Sequence, residues 1–228
     1  MTRPRWAGHG GLLLVLLSSA ATAQTAAPPP PASDCRVVID YKDSTPGSFP
    51  AAWQPRNDDA RQTYKVVSEG GLTFVRATAD RTGSQMGREF EWDVSAYPVL
   101  SWQWRPRTFP PGSDERDSGK SDSALSVYAV FGQSSMVTRA VKYLWSRTVP
   151  VGSTLGSSRA RAIVLRTGRA PGDEWVTEAV NVRQDYERLY QEAPGQARGV
   201  AVLTDADQTK TKAVGDYGPF SVCRGGAR

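Results

Sequence analysis

Pro98-Val99-Leu100-Ser101-Trp102-Gln103-Trp104-Arg105 sets Leu100, Trp102 and Trp104 on one side of the chain and Ser101, Gln103 and Arg105 on the other. Successive side chains of a strand point to opposite faces, so this period of two marks a half-buried β-strand. The alternation recurs on either side of it. Upstream, Phe90, Trp92 and Val94 oppose Glu89, Glu91 and Asp93; downstream, Leu125, Val127, Ala129 and Phe131 oppose Ser126, Tyr128 and Val130. Arg36 to Asp40, Leu72 to Ala79, Val141 to Ser146, Ala162 to Arg166, Trp175 to Val182, Gly199 to Thr204 and Gly218 to Cys223 extend the series, with Gly, Pro, Asp and Ser between them. Only Asp185 to Glu192 reads as helix. Many short strands punctuated by turn residues predict an all-β fold: an antiparallel, jelly-roll-like β-sandwich of galactose-binding-like architecture with one short helix. Trp92, Trp102 and Trp104 are expected to fill the space between the sheets. One polar segment, Pro106 to Ser123, breaks the series; a loop of that length is either functional or disordered.

The 228 residues suit one such domain. Arg3 and Arg5, the apolar run Gly10 to Leu17 and the small residues of Ala21-Thr22-Ala23 have the layout of an export signal cleaved before Gln24. The apolar run is too short to span a bilayer, so no membrane span is expected after cleavage. The expected organisation is a signal at 1–23, a Pro/Ala-rich linker at 24–33, one β-sandwich domain at 34–224 and a tail at 225–228. Such a chain is periplasmic or secreted. Cys35 and Cys223 flank the expected domain, and an isolated pair in an oxidising compartment predicts a disulfide that places the first and last strands side by side.

Composition removes several function classes. The formal charge of +5 falls to about +3 without the signal, and Lys and Arg are scattered, which argues against nucleic acid. The single histidine, His9, lies in the signal, so histidine-based nucleophile systems and zinc sites are excluded from the mature chain. Gly152-Ser153-Thr154-Leu155-Gly156 imitates a nucleophile elbow but centres on Thr, with no histidine to activate it. Carboxylates remain. Glu89 and Glu91 share a strand face at about 7 Å by strand rise, a spacing that glycosidases use and that solvated strand faces produce equally well. Thr204-Asp205-Ala206-Asp207-Gln208-Thr209 places two carboxylates just past an apolar strand. Alternating oxygen ligands suit Ca2+, with Asp205, Asp207 and Asp216 as the expected ligands, although Lys210 stands where a helix–loop–helix calcium site needs Gly. Tyr128, Tyr143 and Trp145 are candidates for an aromatic platform that stacks on sugar rings.

The order of these segments resembles a known family. Pro98 to Trp104, Ser121-Asp122 leading into Val127 to Phe131, Tyr143-Leu144-Trp145-Ser146, Val180-Asn181-Val182 with Asp185-Tyr186, and Leu203 to Thr209 are similar to exported bacterial proteins grouped as domain of unknown function number three thousand and forty-seven. The likeness covers Val38 to Val222 and implies a secreted β-rich domain without assigning an activity. The family pattern has an Asp-Asp pair before the Tyr128 strand, where this chain has one Ser, an Arg in place of Ser126 and an Asn in place of Lys142. The expected function is a non-catalytic binding or accessory module for carbohydrate or another envelope component, with Asp122, Tyr128, Tyr143, Trp145, Asp205, Asp207 and Thr209 as ligand contacts. The alternatives are a carboxylate-dependent glycan-active enzyme using Asp122, Asp205 and Asp207, and a structural partner module of the envelope.

Overall fold

The alternating segments fold as strands, and their apolar sides meet between two sheets. The computed structural model describes residues 34–132, 138–169 and 174–225; the expected signal, linker and last three residues lie outside these. In chain order the elements are β1 (Cys35–Ile39), β2 (Gln54–Pro55), α1 (Asp58–Thr63), β3 (Tyr64–Glu69), β4 (Leu72–Asp80), β5 (Gly83–Trp92), β6 (Val99–Thr108), β7 (Leu125–Gly132), β8 (Thr138–Ser146), β9 (Thr154–Gly156), β10 (Ala160–Thr167), β11 (Val176–Asn181), α2 (Val182–Tyr190), β12 (Gln196–Asp205) and β13 (Lys212–Cys223). A six-stranded sheet has the order β11-β6-β13-β4-β3, with β1 also pairing β13. A seven-stranded sheet has the order β2-β5-β12-β7-β8-β10-β9. All pairings are antiparallel except β8 with β10. The fold is the jelly-roll-like β-sandwich read from the alternation.

Trp102 and Trp104 of β6 sit at the centre of the core, 1% and 0% exposed. Trp102 packs on Phe220 of its own sheet and on Tyr143 of the other, and Trp104 packs on Trp145 at 5.6 Å. Such ring contacts add to the area that each indole removes from water. At one margin a charged pair crosses between the sheets: Arg166 of β10 donates to Glu178 of β11, whose Oε1 also accepts from Trp104 Nε1 at 3.0 Å.

The described residues contain two helices where one was expected. The second helix, α2, starts at Val182 because the Asn181 side chain accepts from Gln184 N–H at 2.9 Å, an N-cap bond. The unforeseen α1 is six residues long, too short to show a helical period, and is capped by Asn57. The polar segment after β6 is held by a bond within it, Asp114 N–H donating to the Lys120 carbonyl at 2.9 Å, and by one from β8, Ser146 Oγ donating to Glu115 at 2.5 Å.

Cys35 and Cys223 form the expected disulfide, directly opposite each other in the β1–β13 ladder. The loop closed spans 188 residues, for which loop-closure entropy amounts to roughly 5 kcal/mol. Replacing both cysteines by Ala is expected to lower the melting temperature by about 10 °C or more for a domain of this size. A shift under about 2 °C in calorimetry would show that the ladder alone holds the two ends.

Candidate functional site

The outer face of the seven-stranded sheet carries most of the chemistry. Across β5, β12, β7 and β8 one outward row reads Glu89, Gly199, Val130, Ala140, and the next reads Gly87, Ala201, Tyr128, Lys142. Where β5 and β12 meet, these rows carry the small residues Gly87, Gly199 and Ala201. A bulge between Ala197 and Gly199 disturbs both ladders of β12 at this level, and bulges bend a sheet and re-aim side chains. Gly199 has φ +147, and a Cβ there would stand 2.2 Å from the Arg88 carbonyl oxygen, so the close approach requires glycine. A groove of about 750 Å³ runs over these residues, with Glu89, Glu91, Thr138 and Arg198 along its sides. Arg198 reaches Glu91 at 2.8 Å, and both side chains are more than half exposed.

Farther along the same face, three carboxylates converge where β12 ends. Oxygens of Asp122, Asp205 and Asp207 lie within 4.8 Å of one another. Asp122 is fully buried and accepts from Gln208 N–H, Thr209 N–H and Thr209 Oγ1 at 3.0, 2.7 and 2.5 Å, which fixes the turn after β12. Asp205 folds back over Gly83, where a Cβ would lie 2.3 Å from its Oδ1. The Oδ1 of Asp207 is buried without a hydrogen-bond partner. Burial, reinforced by the charges of Asp207 and Asp122, pushes the Asp205 carboxyl up to about 7. The cluster therefore either shares a proton near neutral pH or presents oxygen donors to a hard cation such as calcium.

The structure brings Asp122, Asp205, Asp207 and Thr209 together and leaves Tyr128 on the same face, with the Lys142 ammonium 5.4 Å from its ring centroid. Three expectations are corrected. Tyr143 and Trp145 are 0% and 2% exposed because their alternation turns them inward, so neither forms a surface platform. Asp216 does not join the other acids. Residue 212 begins β13, which puts Asp216 on the other sheet, fully buried, with Arg76 Nε donating at 2.7 Å and Arg105 Nη2 at 2.6 Å. Arg198 and Gly199 were absent from the expected site; a glycine inside an apolar strand is the signal that marks a bulge or a close approach.

Residues 51–221 match the model of a family described as protein of unknown function (DUF3047). No curated protein matches the chain significantly. Among solved structures it is similar to a family 30 carbohydrate-binding module of a cellulosomal cellulase of Clostridium thermocellum, at 10% identity, covering 85% of this chain and 99% of that one, with a TM-score of 0.45. A family 11 carbohydrate-binding module of the same organism gives 8% identity, 85% and 96% coverage and a TM-score of 0.42. Endoglucanase 3 of family GH12 from Trichoderma harzianum gives 11%, 86% and 100% coverage, and 0.41.

A carboxyl value raised from 3.8 to about 7 on folding means that the folded chain retains a proton the unfolded chain has released. This contribution is complete below the unfolded value and is lost as pH rises through the folded one, so stability falls between roughly pH 4 and 7. Asp205→Asn is expected to flatten that part of the profile of melting temperature against pH. Parallel profiles for the two proteins would remove Asp205 as its source. Calcium that neutralises the cluster raises the melting temperature at pH 8 and not at pH 5; indifference to calcium and chelator at both values removes the cation.

Proposed function

The chain belongs to the DUF3047 family, and we propose that it is a glycan-binding module of an exported compartment, with the groove on the seven-stranded sheet as its binding face. The observation that carries this reading is an open groove with polar sides over a floor of Gly87, Gly199 and Ala201. A floor without long side chains lets an extended ligand lie against the backbone. Glu89, Glu91 and Arg198 supply acceptors and donors for adjacent hydroxyls. The Arg198–Glu91 pair is exposed, and exposed pairs contribute little to stability, so its members exchange partners readily. Two carboxylates at the groove repel phosphate backbones and favour neutral or amino sugars. The disulfide supports an oxidising location outside the cytoplasm.

A second reading, acid-assisted glycan cleavage, is favoured by one observation: Asp205 holds its proton up to about pH 7 beside two other carboxylates.

Calorimetric titration with soluble β-linked hexose and amino-sugar oligosaccharides is expected to give saturable binding. Arg198→Ala and Glu89→Ala each weaken it about tenfold or more, which corresponds to about 1.4 kcal/mol, with the melting temperature unchanged. Absence of binding across the series, or variants that bind like the parent chain, would sink the groove as a glycan site. Reducing ends that accumulate with the parent chain and not with Asp205→Asn would establish cleavage instead.

A further inference from the structure

Trp175 precedes β11, at the margin of the six-stranded sheet and away from the groove. Of the six tryptophans in the described residues, Trp53, Trp92, Trp102, Trp104 and Trp145 are at most 4% exposed, and Trp175 alone is partly exposed. It lines a pocket of about 200 Å³ together with Phe74, Gln103 and Gly218. The register of β13 slips between Tyr217 and Phe220, so Gly218 and Pro219 form an irregularity beneath the pocket. Gly218 leaves the floor bare between Gln103 and Phe74. The Gln103 Oε1 lies 3.5 Å from the point where a Cβ on Gly218 would stand, and its Nε2 donates to Thr177 Oγ1 at 3.3 Å. That bond orients the amide and leaves an acceptor oxygen over the floor.

The aromatic wall is fixed before any ligand arrives. Phe74 meets Trp175 edge-on, with centroids 5.1 Å apart. The Arg105 guanidinium lies 4.6 Å from the Trp175 ring centroid and that of Arg76 5.4 Å from Phe74. Both guanidinium groups are anchored by the buried carboxylate of Asp216. Side chains already held in place lose little freedom on binding, which raises affinity for a given contact area.

We propose that this pocket is a second ligand site, separate from the groove, that takes a single pyranose ring. The partly exposed indole of Trp175, braced by the buried Phe74, suits the C–H face of a sugar ring, and an amide oxygen over the floor accepts from a ring hydroxyl. The exposed pair Asp40–Lys42 at the rim meets the remaining hydroxyls. The volume of about 200 Å³ suits one ring, whereas the groove on the opposite sheet, at about 750 Å³, has room for several. The two sites would engage different parts of a glycan.

The test is a titration of the full, oxidised chain followed by the indole N–H signals in nitrogen-15 correlation spectra. The Trp175 signal is identified by its loss in Trp175→Phe. The probes are the methyl glycosides of glucose, galactose, mannose and N-acetylglucosamine, each taken to about 100 mM, since so small a ligand binds in the millimolar range. The expected result is a saturable shift of the Trp175 signal with at least one probe, and an affinity about fivefold or more lower in Gln103→Ala, a small substitution at a half-buried site that leaves the aromatic wall in place. No shift with any probe, an unchanged affinity in Gln103→Ala, or a response that disappears in Arg198→Ala overturns the proposal; the last outcome would assign the binding to the groove. A response only to phenylalanine- or leucine-containing peptides would likewise overturn it and make the pocket a protein contact.

Discussion

Two buried tyrosine hydroxyls tie the sheets together, and the positions of both outer faces depend on them. The Tyr217 hydroxyl, from β13, donates to the Leu203 carbonyl at 2.8 Å, accepts from Ser126 N–H at 3.2 Å and lies 3.0 Å from Thr204 Oγ1. The Tyr64 hydroxyl, from β3, donates to the Ser84 carbonyl at 2.6 Å and accepts from Thr204 N–H at 3.0 Å. Both side chains are fully buried, and burial raises both phenols well above their ordinary range, which keeps them protonated as donors. Apolar contact between sheets is tolerant of sliding, whereas a hydroxyl that must reach particular backbone groups is not. Thr204 takes part in both arrangements and directly precedes Asp205. The carboxylate cluster thus inherits its place from bonds made inside the core.

The two outer faces are then free to differ. On the seven-stranded sheet, small residues and a bulge open a groove with carboxylates and a guanidinium at its sides. On the six-stranded sheet, charge is paired under cover: the buried Asp216 accepts from the guanidinium groups of Arg76 and Arg105, and those groups brace Phe74 and Trp175. A buried carboxylate with two partners adds little to stability by itself, since desolvation offsets attraction. Its contribution lies in holding geometry.

Alternation made the strands legible wherever one face was apolar and the other polar, as in Phe90 to Val94 and Leu100 to Arg105. It also said which side chains share a face without saying which face is inside. Tyr143 and Trp145 show the difficulty, because both faces of β8 are covered: Leu144 packs beneath Val149, Ala162 and Val164. Tyr64 to Glu69 carries no such signal, because Val67 beside Val66 breaks the period of two and Ser68 and Glu69 are both exposed. Asp216 lay at a spacing that suits a calcium loop, yet the chain had already re-entered a strand by Lys212, and strand geometry carried it to the other sheet. Trp175 reads as one more member of an alternating run; its exposure follows from its place just before a margin strand. The convergence of Asp122 with Asp205 and Asp207 depends on the pairing of Ser123 with Asp205, a long-range contact that no local pattern announces.

The bond between Cys35 and Cys223 has a mechanical meaning. The polypeptide enters and leaves at two residues that stand opposite each other in one ladder and are covalently joined. A pull on the chain before Cys35 and after Cys223 passes from one sulfur to the other and never reaches the sheets. Every strand between them is relieved of load, so tension on the flanking chain would stretch those flanks while the groove and the pocket keep their shapes.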